Sequence, residues 1–137
     1  MSKITKKELL LKLDKLVKEI VFERDDGCVT CPLWLTIKDT HNPSDVMQPG
    51  HYITRGAKSV RWDLRNVYKQ CRTCNMIHEH YSSVMAYYVL NELGIEGFEQ
   101  LVFDGNKPKP SIKKFELEEL YEKLRRIKRN DKTIWMK

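Results

Sequence analysis

An α+β fold, in which a small metal-stapled hairpin is set between packed helices, follows from three observations. Four cysteines form two pairs, Cys28-Val29-Thr30-Cys31 and Cys71-Arg72-Thr73-Cys74, and none is left over. The stretch between the pairs holds two extended segments and a Pro49-Gly50 kink. On both sides run segments whose apolar residues recur at helical spacing.

Taken in order, residues 5–24 predict an amphipathic helix. Thr5 with Glu8 three residues on forms a capping box, and Leu9, Leu10, Leu13, Leu16, Val17, Ile20 and Val21 make one apolar stripe. The helix ends at Asp25-Asp26-Gly27, where Gly27 supplies a left-handed turn into the first cysteine pair. Packing on the metal module is its expected use, because a dimer seam needs more heptads than this segment has. Val46–Arg55 reads as extended, and Lys58–Trp62 returns towards Asn66-Val67-Tyr68-Lys69-Gln70, giving a loose hairpin joined by a basic loop. A helix is predicted from Asn75 to about Leu93, with Ile77, Tyr81, Val84, Met85, Tyr88 and Val89 on one face and Gly94 as its stop. A short helix over 96–103 and the breaker-rich linker 104–110 follow. A last helix over 114–129 turns Phe115, Leu117, Leu120, Tyr121, Leu124 and Ile127 inward. The expected organisation is an N-terminal helix (1–26), a zinc-bound core (27–103) and a basic C-terminal arm (104–137).

Two CxxC pairs offer four thiolates to one tetrahedral Zn²⁺, a closed set that reads as structural. Cysteines used this way fit a reducing compartment better than a framework of two disulfides. No apolar run approaches the ~20 residues of a membrane span, so a cytoplasmic protein is expected. Across the 137 residues the net charge is +6, and its distribution says more than its sum. Residues 51–75 carry six Lys or Arg (Arg55, Lys58, Arg61, Arg65, Lys69, Arg72) against one acid, whereas residues 76–104 carry no Lys or Arg and five acids. Residues 105–137 return to eleven basic against five acidic. Basic surfaces of this kind neutralise phosphates, so nucleic acid is the expected partner.

A hairpin, a zinc knuckle and a helix, with a histidine in the first strand and an asparagine just after the last cysteine, form the layout of a ββα-metal (His-Me finger, treble-clef-like) nuclease core. Phosphodiester hydrolysis there asks for a neutral imidazole to take a proton from water and a divalent cation on the phosphate. His51 is the candidate base, its other ring nitrogen needing a carbonyl or similar partner to fix the tautomer. Asn66 suits a brace between the two strands. Asn75 can offer a carbonyl oxygen to the cation, although capping the helix is an alternative use.

Gly50-His51-Tyr52, Arg61-Trp62-Asp63 and the string from Asn66 to Asn75 resemble the NinG/Rap recombination family of lambdoid phages, related in turn to the HNH and endonuclease VII group of nucleases. The resemblance covers about residues 27–103. It implies a recombination nuclease acting on branched or structured DNA in the host cytoplasm, with structural zinc and a separate Mg²⁺ or Mn²⁺ at the active site. This sequence departs from the pattern before His51, where HNH nucleases place an acid and Gly50 stands here. His78, one helical turn beyond Asn75, ranks first as the replacement ligand, then Glu79, then Asp45. Trp135, past the basic arm, could stack on an unpaired base.

The resulting expectation is a metal-dependent endonuclease for branched or flapped DNA. His51, Asn66 and Asn75 are its catalytic set, Cys28, Cys31, Cys71 and Cys74 its zinc ligands, and Arg55, Lys58, Arg61, Arg65, Lys69 and Arg72 its phosphate grip. Cutting a four-way junction needs two active sites, so a homodimer is expected for that substrate. The alternatives are a zinc-stabilised DNA-binding protein without catalysis and a sequence-preferring HNH nickase.

Overall fold

The computed structural model describes residues 3–33, 42–77, 82–108 and 111–130. Among them the chain runs α1 (Lys6–Arg24), a 3-10 turn (Cys31–Leu33), β1 (Met47–His51), β2 (Val67–Cys71), α2 (Arg72–Ile77), α3 (Ser82–Gly105) and α4 (Lys114–Asn130). Within those residues the fold is mixed α+β, with four helices and one antiparallel two-stranded sheet. Among them no helix is long and apolar enough to cross a membrane.

α1 starts where its side chains dictate. Thr5 Oγ1 accepts from the Glu8 amide at 3.1 Å while the Thr5 amide donates to Glu8 Oε1 at 3.2 Å, the reciprocal bonds of a capping box. Gly27, just past its end, takes φ +82°, a conformation open to a residue without Cβ. Leu9, Leu13, Leu16, Val17, Ile20 and Val21 are buried, packed on Trp62, Val67 and, from α4, Leu117 and Leu124. Each fully buried large aliphatic is worth roughly 1.5–3 kcal/mol, so this stripe is what binds α1 to the sheet and to α4. Phe115, expected inward, is instead 57% exposed. It lies about 200° round the helix from Leu117 and so falls off the stripe that Leu117 and Leu124 define.

β2 divides two cores. Val67 faces the α1 cluster, and the next residue, Tyr68, packs with Met85, Val89 and Leu101 of α3, as strand alternation requires. β1 is shorter than the extended segment predicted to Arg55. After His51 the chain leaves the sheet and folds through successive turns, with amides of Ala57, Val60, Asp63 and Asn66 donating to the carbonyls of Thr54, Ala57, Val60 and Asp63. These peptides find partners three residues back, so the loop has no need of a strand. α2 begins at Arg72 rather than Asn75, because the second cysteine knuckle is itself the first helical turn and the Cys74 amide points at Cys71 Sγ, 3.4 Å away. Gly94, with φ +75° and ψ 170°, interrupts α3 where the first helix was expected to stop.

Candidate metal centre and active-site cleft

Four sulfurs from two distant stretches meet beside the sheet. Cys28 and Cys31 bracket the turn after α1, Cys71 closes β2 and Cys74 opens α2, and their Sγ atoms all lie within 4.8 Å of one another. Cys31 Sγ is 3.6 Å from both Cys71 Sγ and Cys74 Sγ. A tetrahedral site with Zn–S bonds of ~2.3 Å sets its sulfurs ~3.8 Å apart, so the cluster fits the ion. A disulfide needs ~2.05 Å, and none of the four cysteines is disulfide-bonded. Their protonation points the same way: the Cys74 thiol's hydrogen bond pulls Cys28 well below the usual thiol range, whereas burial first, with its sulfur neighbours, pushes Cys31 up. Packed sulfurs cannot all be anions without a cation among them, and a divalent ion removes that conflict.

At the end of β1 away from Met47, the residue that pairs with Cys71, stands His51, opposite Val67. Its Nε2 lies 2.9 Å from the carbonyl oxygen of Arg61. A carbonyl only accepts, so Nε2 carries the hydrogen and Nδ1 of the neutral ring keeps its lone pair. Burial, the largest influence, holds the His51 pKa below its ordinary value and so favours that neutral form.

The residue before Arg61 is tied down by Asn66, which is fully buried. Its Oδ1 accepts from the Ile53 amide at 2.8 Å, and its Nδ2 donates to the carbonyls of Ile53 at 2.9 Å and Val60 at 3.2 Å. The Tyr52 amide adds a bond to the Asn66 carbonyl. The expected brace between strands is thus a brace within the loop, tying its first turn to the residue just before Arg61.

Asn75, one residue past the last cysteine, lines the same cleft as His51, a hollow of about 520 Å³. Its Nδ2 donates to Gln48 Oε1 at 2.9 Å, joining α2 to β1. Gly50, which precedes His51, faces a filled space, since a Cβ built there would sit 1.8 Å from Gln70 Oε1. Gln70 is itself buried, its Nε2 donating to Thr30 Oγ1 at 2.9 Å and its Oε1 lacking a hydrogen-bond partner among the described residues. A side chain at position 50 therefore requires the buried Gln70 amide to move, and Gln48 is the residue of β1 that meets Asn75. Asp45 is exposed and is not among the residues lining the cleft. His78, Glu79 and Trp135 lie outside the described residues.

Asp14 of α1 is the carboxylate in the cleft wall, and it is taken by cations. Arg61 Nη2 and Nε approach it at 2.6 and 3.1 Å, Arg55 Nη2 at 3.1 Å, and the Trp62 indole donates at 2.8 Å. Arg65, expected on DNA, is clasped by Asp63 at 2.6 Å and Asp104 at 3.0 Å. Arg55 remains 61% exposed, Lys58 and Arg72 are exposed, and Lys69 lies with its ammonium over Phe22, 5.2 Å from the ring centre.

Asp14, Gln48, Lys15 and Lys18 were not singled out by the sequence. Asp14 stands four residues before Lys18, the spacing of an ordinary helical surface pair, and nothing local marks the acid's long-range partners. The one available signal was the buried Trp62, whose indole needs an acceptor.

Fold and cleft define a class: a small α+β protein with a four-cysteine cluster able to hold a metal ion and a basic, histidine-bearing cleft. The family model described as Bacteriophage Lambda NinG protein matches residues 3–133, and the chain belongs to that family. No curated protein and no solved structure matches it.

Proposed function

We propose that the chain is a metal-dependent endonuclease of the HNH/endonuclease VII type, with a ββα-metal core, acting on branched or flapped DNA in phage recombination. The observation that carries this reading is the His51 Nε2–Arg61 carbonyl bond at 2.9 Å, which leaves Nδ1 as a proton acceptor in the cleft that Asn75 also lines. His51 would take the proton of the attacking water, and Asn66 would hold the loop whose carbonyl fixes the imidazole.

The amides of Asn75 and Gln48 would hold Mg²⁺ or Mn²⁺. Their oxygens are hard donors suited to such ions but uncharged, so binding would be weak until DNA phosphates join the site. The cation, when bound, supplies positive charge to the phosphate and the departing 3′-oxygen. The thiol cluster is separate, and its zinc would be structural.

Purified protein incubated with labelled branched and linear duplexes, in Mg²⁺ and in EDTA, tests the reading. Cutting of branched DNA only in Mg²⁺, abolished by His51→Ala, is the expected result. Cutting that persists in His51→Ala removes the mechanism, and cutting of linear duplex at one sequence favours a sequence-preferring nickase. The filled space at Gly50 and the engagement of Asp14 by two arginines favour the other reading, a zinc-stabilised DNA-binding protein without catalysis. Tight binding with no cutting in either Mg²⁺ or Mn²⁺ would select it.

A further inference from the structure

α1 does more than fill a core, because one side of it forms a wall of the cleft. Asp14, Lys15, Val17 and Lys18 line the hollow opposite His51, Gln48 and Asn75. Lys15 and Lys18 are exposed, and among the described residues lining the hollow they set, with Arg55 and Arg61, four cations against one carboxylate, Asp14. Asp14 is already matched by Arg61, whose side chain is 14% exposed and has two nitrogens on it. Among the described residues the wall is left with a surplus of positive charge, since Arg55 shares that one carboxylate with Arg61.

The surplus extends beyond the hollow. Lys18 Nζ lies 5.4 Å and Lys69 Nζ 5.2 Å from the centre of the same ring, Phe22, which stands one helical turn past Lys18. Two ammonium groups drawn to one aromatic ring repel each other, and a polyanion passing over them relieves that repulsion. From Asp14, where Arg55 is anchored, to Phe22 is eight residues of helix, about 12 Å. That length matches the axial rise of three to four nucleotides of one B-form strand.

We propose that the α1 wall is a phosphate track, on which Lys15, Lys18, Lys69 and Arg55 lead one nucleic-acid strand into the cleft at His51. The track replaces part of the grip expected of the loop, since Arg61 and Arg65 are spent on Asp14, Asp63 and Asp104. It rests on the nucleic-acid reading above and does not require cleavage.

The test is equilibrium binding to a fluorescent branched DNA in EDTA, read by anisotropy over a salt series. K15Q/K18Q is compared with wild type and with K123Q/R126Q, which removes the same charge from the exposed face of α4. Zinc content and melting temperature are measured for each. The expected result is a log Kobs against log[salt] slope flattened by about 1.8 in K15Q/K18Q, roughly 0.9 for each phosphate that the variant no longer neutralises. The α4 control, on the basic C-terminal arm, should flatten the slope by less than K15Q/K18Q does.

An unchanged slope in a folded, zinc-loaded K15Q/K18Q protein overturns the track, as does equal flattening in the α4 control, which would report net charge alone. Absence of DNA binding by wild type overturns it too. A Mg²⁺ cutting assay on the same samples separates the two proposals. Flattened slopes without cutting keep the track and remove the nuclease, whereas cutting with unchanged slopes does the reverse.

Discussion

Replacement of Asn66 by Ala tests the link between the buried brace and the candidate base. The carboxamide makes three side-chain hydrogen bonds, to the Ile53 amide, the Ile53 carbonyl and the Val60 carbonyl, at a fully buried position. A net value of about 1 kcal/mol per bond gives a loss of about 3 kcal/mol, because alanine leaves the partners without substitutes. For a chain of this size that loss lowers the melting temperature by about 10 °C. Urea unfolding of the zinc-loaded protein measures it. A long-range ¹H–¹⁵N spectrum of the imidazole reads the second half, since a loop freed from Asn66 lets the Arg61 carbonyl drift and the ring lose its fixed Nε2–H tautomer. A loss below about 1 kcal/mol, with the His51 tautomer unchanged, would refute the reasoning.

Three further outcomes are expected. Because burial holds the His51 pKa below its ordinary value of about 6.5, the ring is neutral in neutral solution. Any His51-dependent cutting should be flat above that value, with its acid limb below it; a limb centred above it would contradict the buried geometry. The stability linkage has the same sign: the unfolded chain binds this proton more readily, so His51's share is complete above about pH 6.5 and is lost as pH falls through the folded pKa. Removal of zinc by a chelator, or Cys71→Ser, should melt the sheet and α2 together, as structural zinc is worth about 10–16 kcal/mol at neutral pH; retention of cooperative unfolding without bound metal would argue against it. Gly50→Ala should destabilise by about 1–3 kcal/mol through its clash with Gln70, and Gln70→Ala should recover most of that in a double-mutant cycle measured by urea unfolding.

Much of the architecture could be read from local signals. The capping box at Thr5 and Glu8, the left-handed Gly27, the break at Gly94 and the meeting of the four cysteines are each set by residues close in sequence or by a metal's ligand count. His51 could be named from its neighbours, and its carbonyl partner foreseen in kind. The identity of that partner could not, because residues 52–66 form a chain of turns rather than a strand and only this path brings Arg61 back to His51. The fate of the cations was equally hidden. Arg61 and Arg65 look the same as Arg55 in a charge count, and Asp14 and Asp104, which hold them, are 47 and 39 residues away.

Gly50 and Gln70 occupy one volume between them, and the amide at residue 70 closes that volume from the far strand. A residue with a side chain before His51 therefore fits this scaffold without strain only when the side chain at position 70 shrinks or is displaced in step. Neither change alone opens a path to a better-charged cleft, which makes the pair a two-key lock on whether this scaffold can acquire a carboxylate beside its histidine.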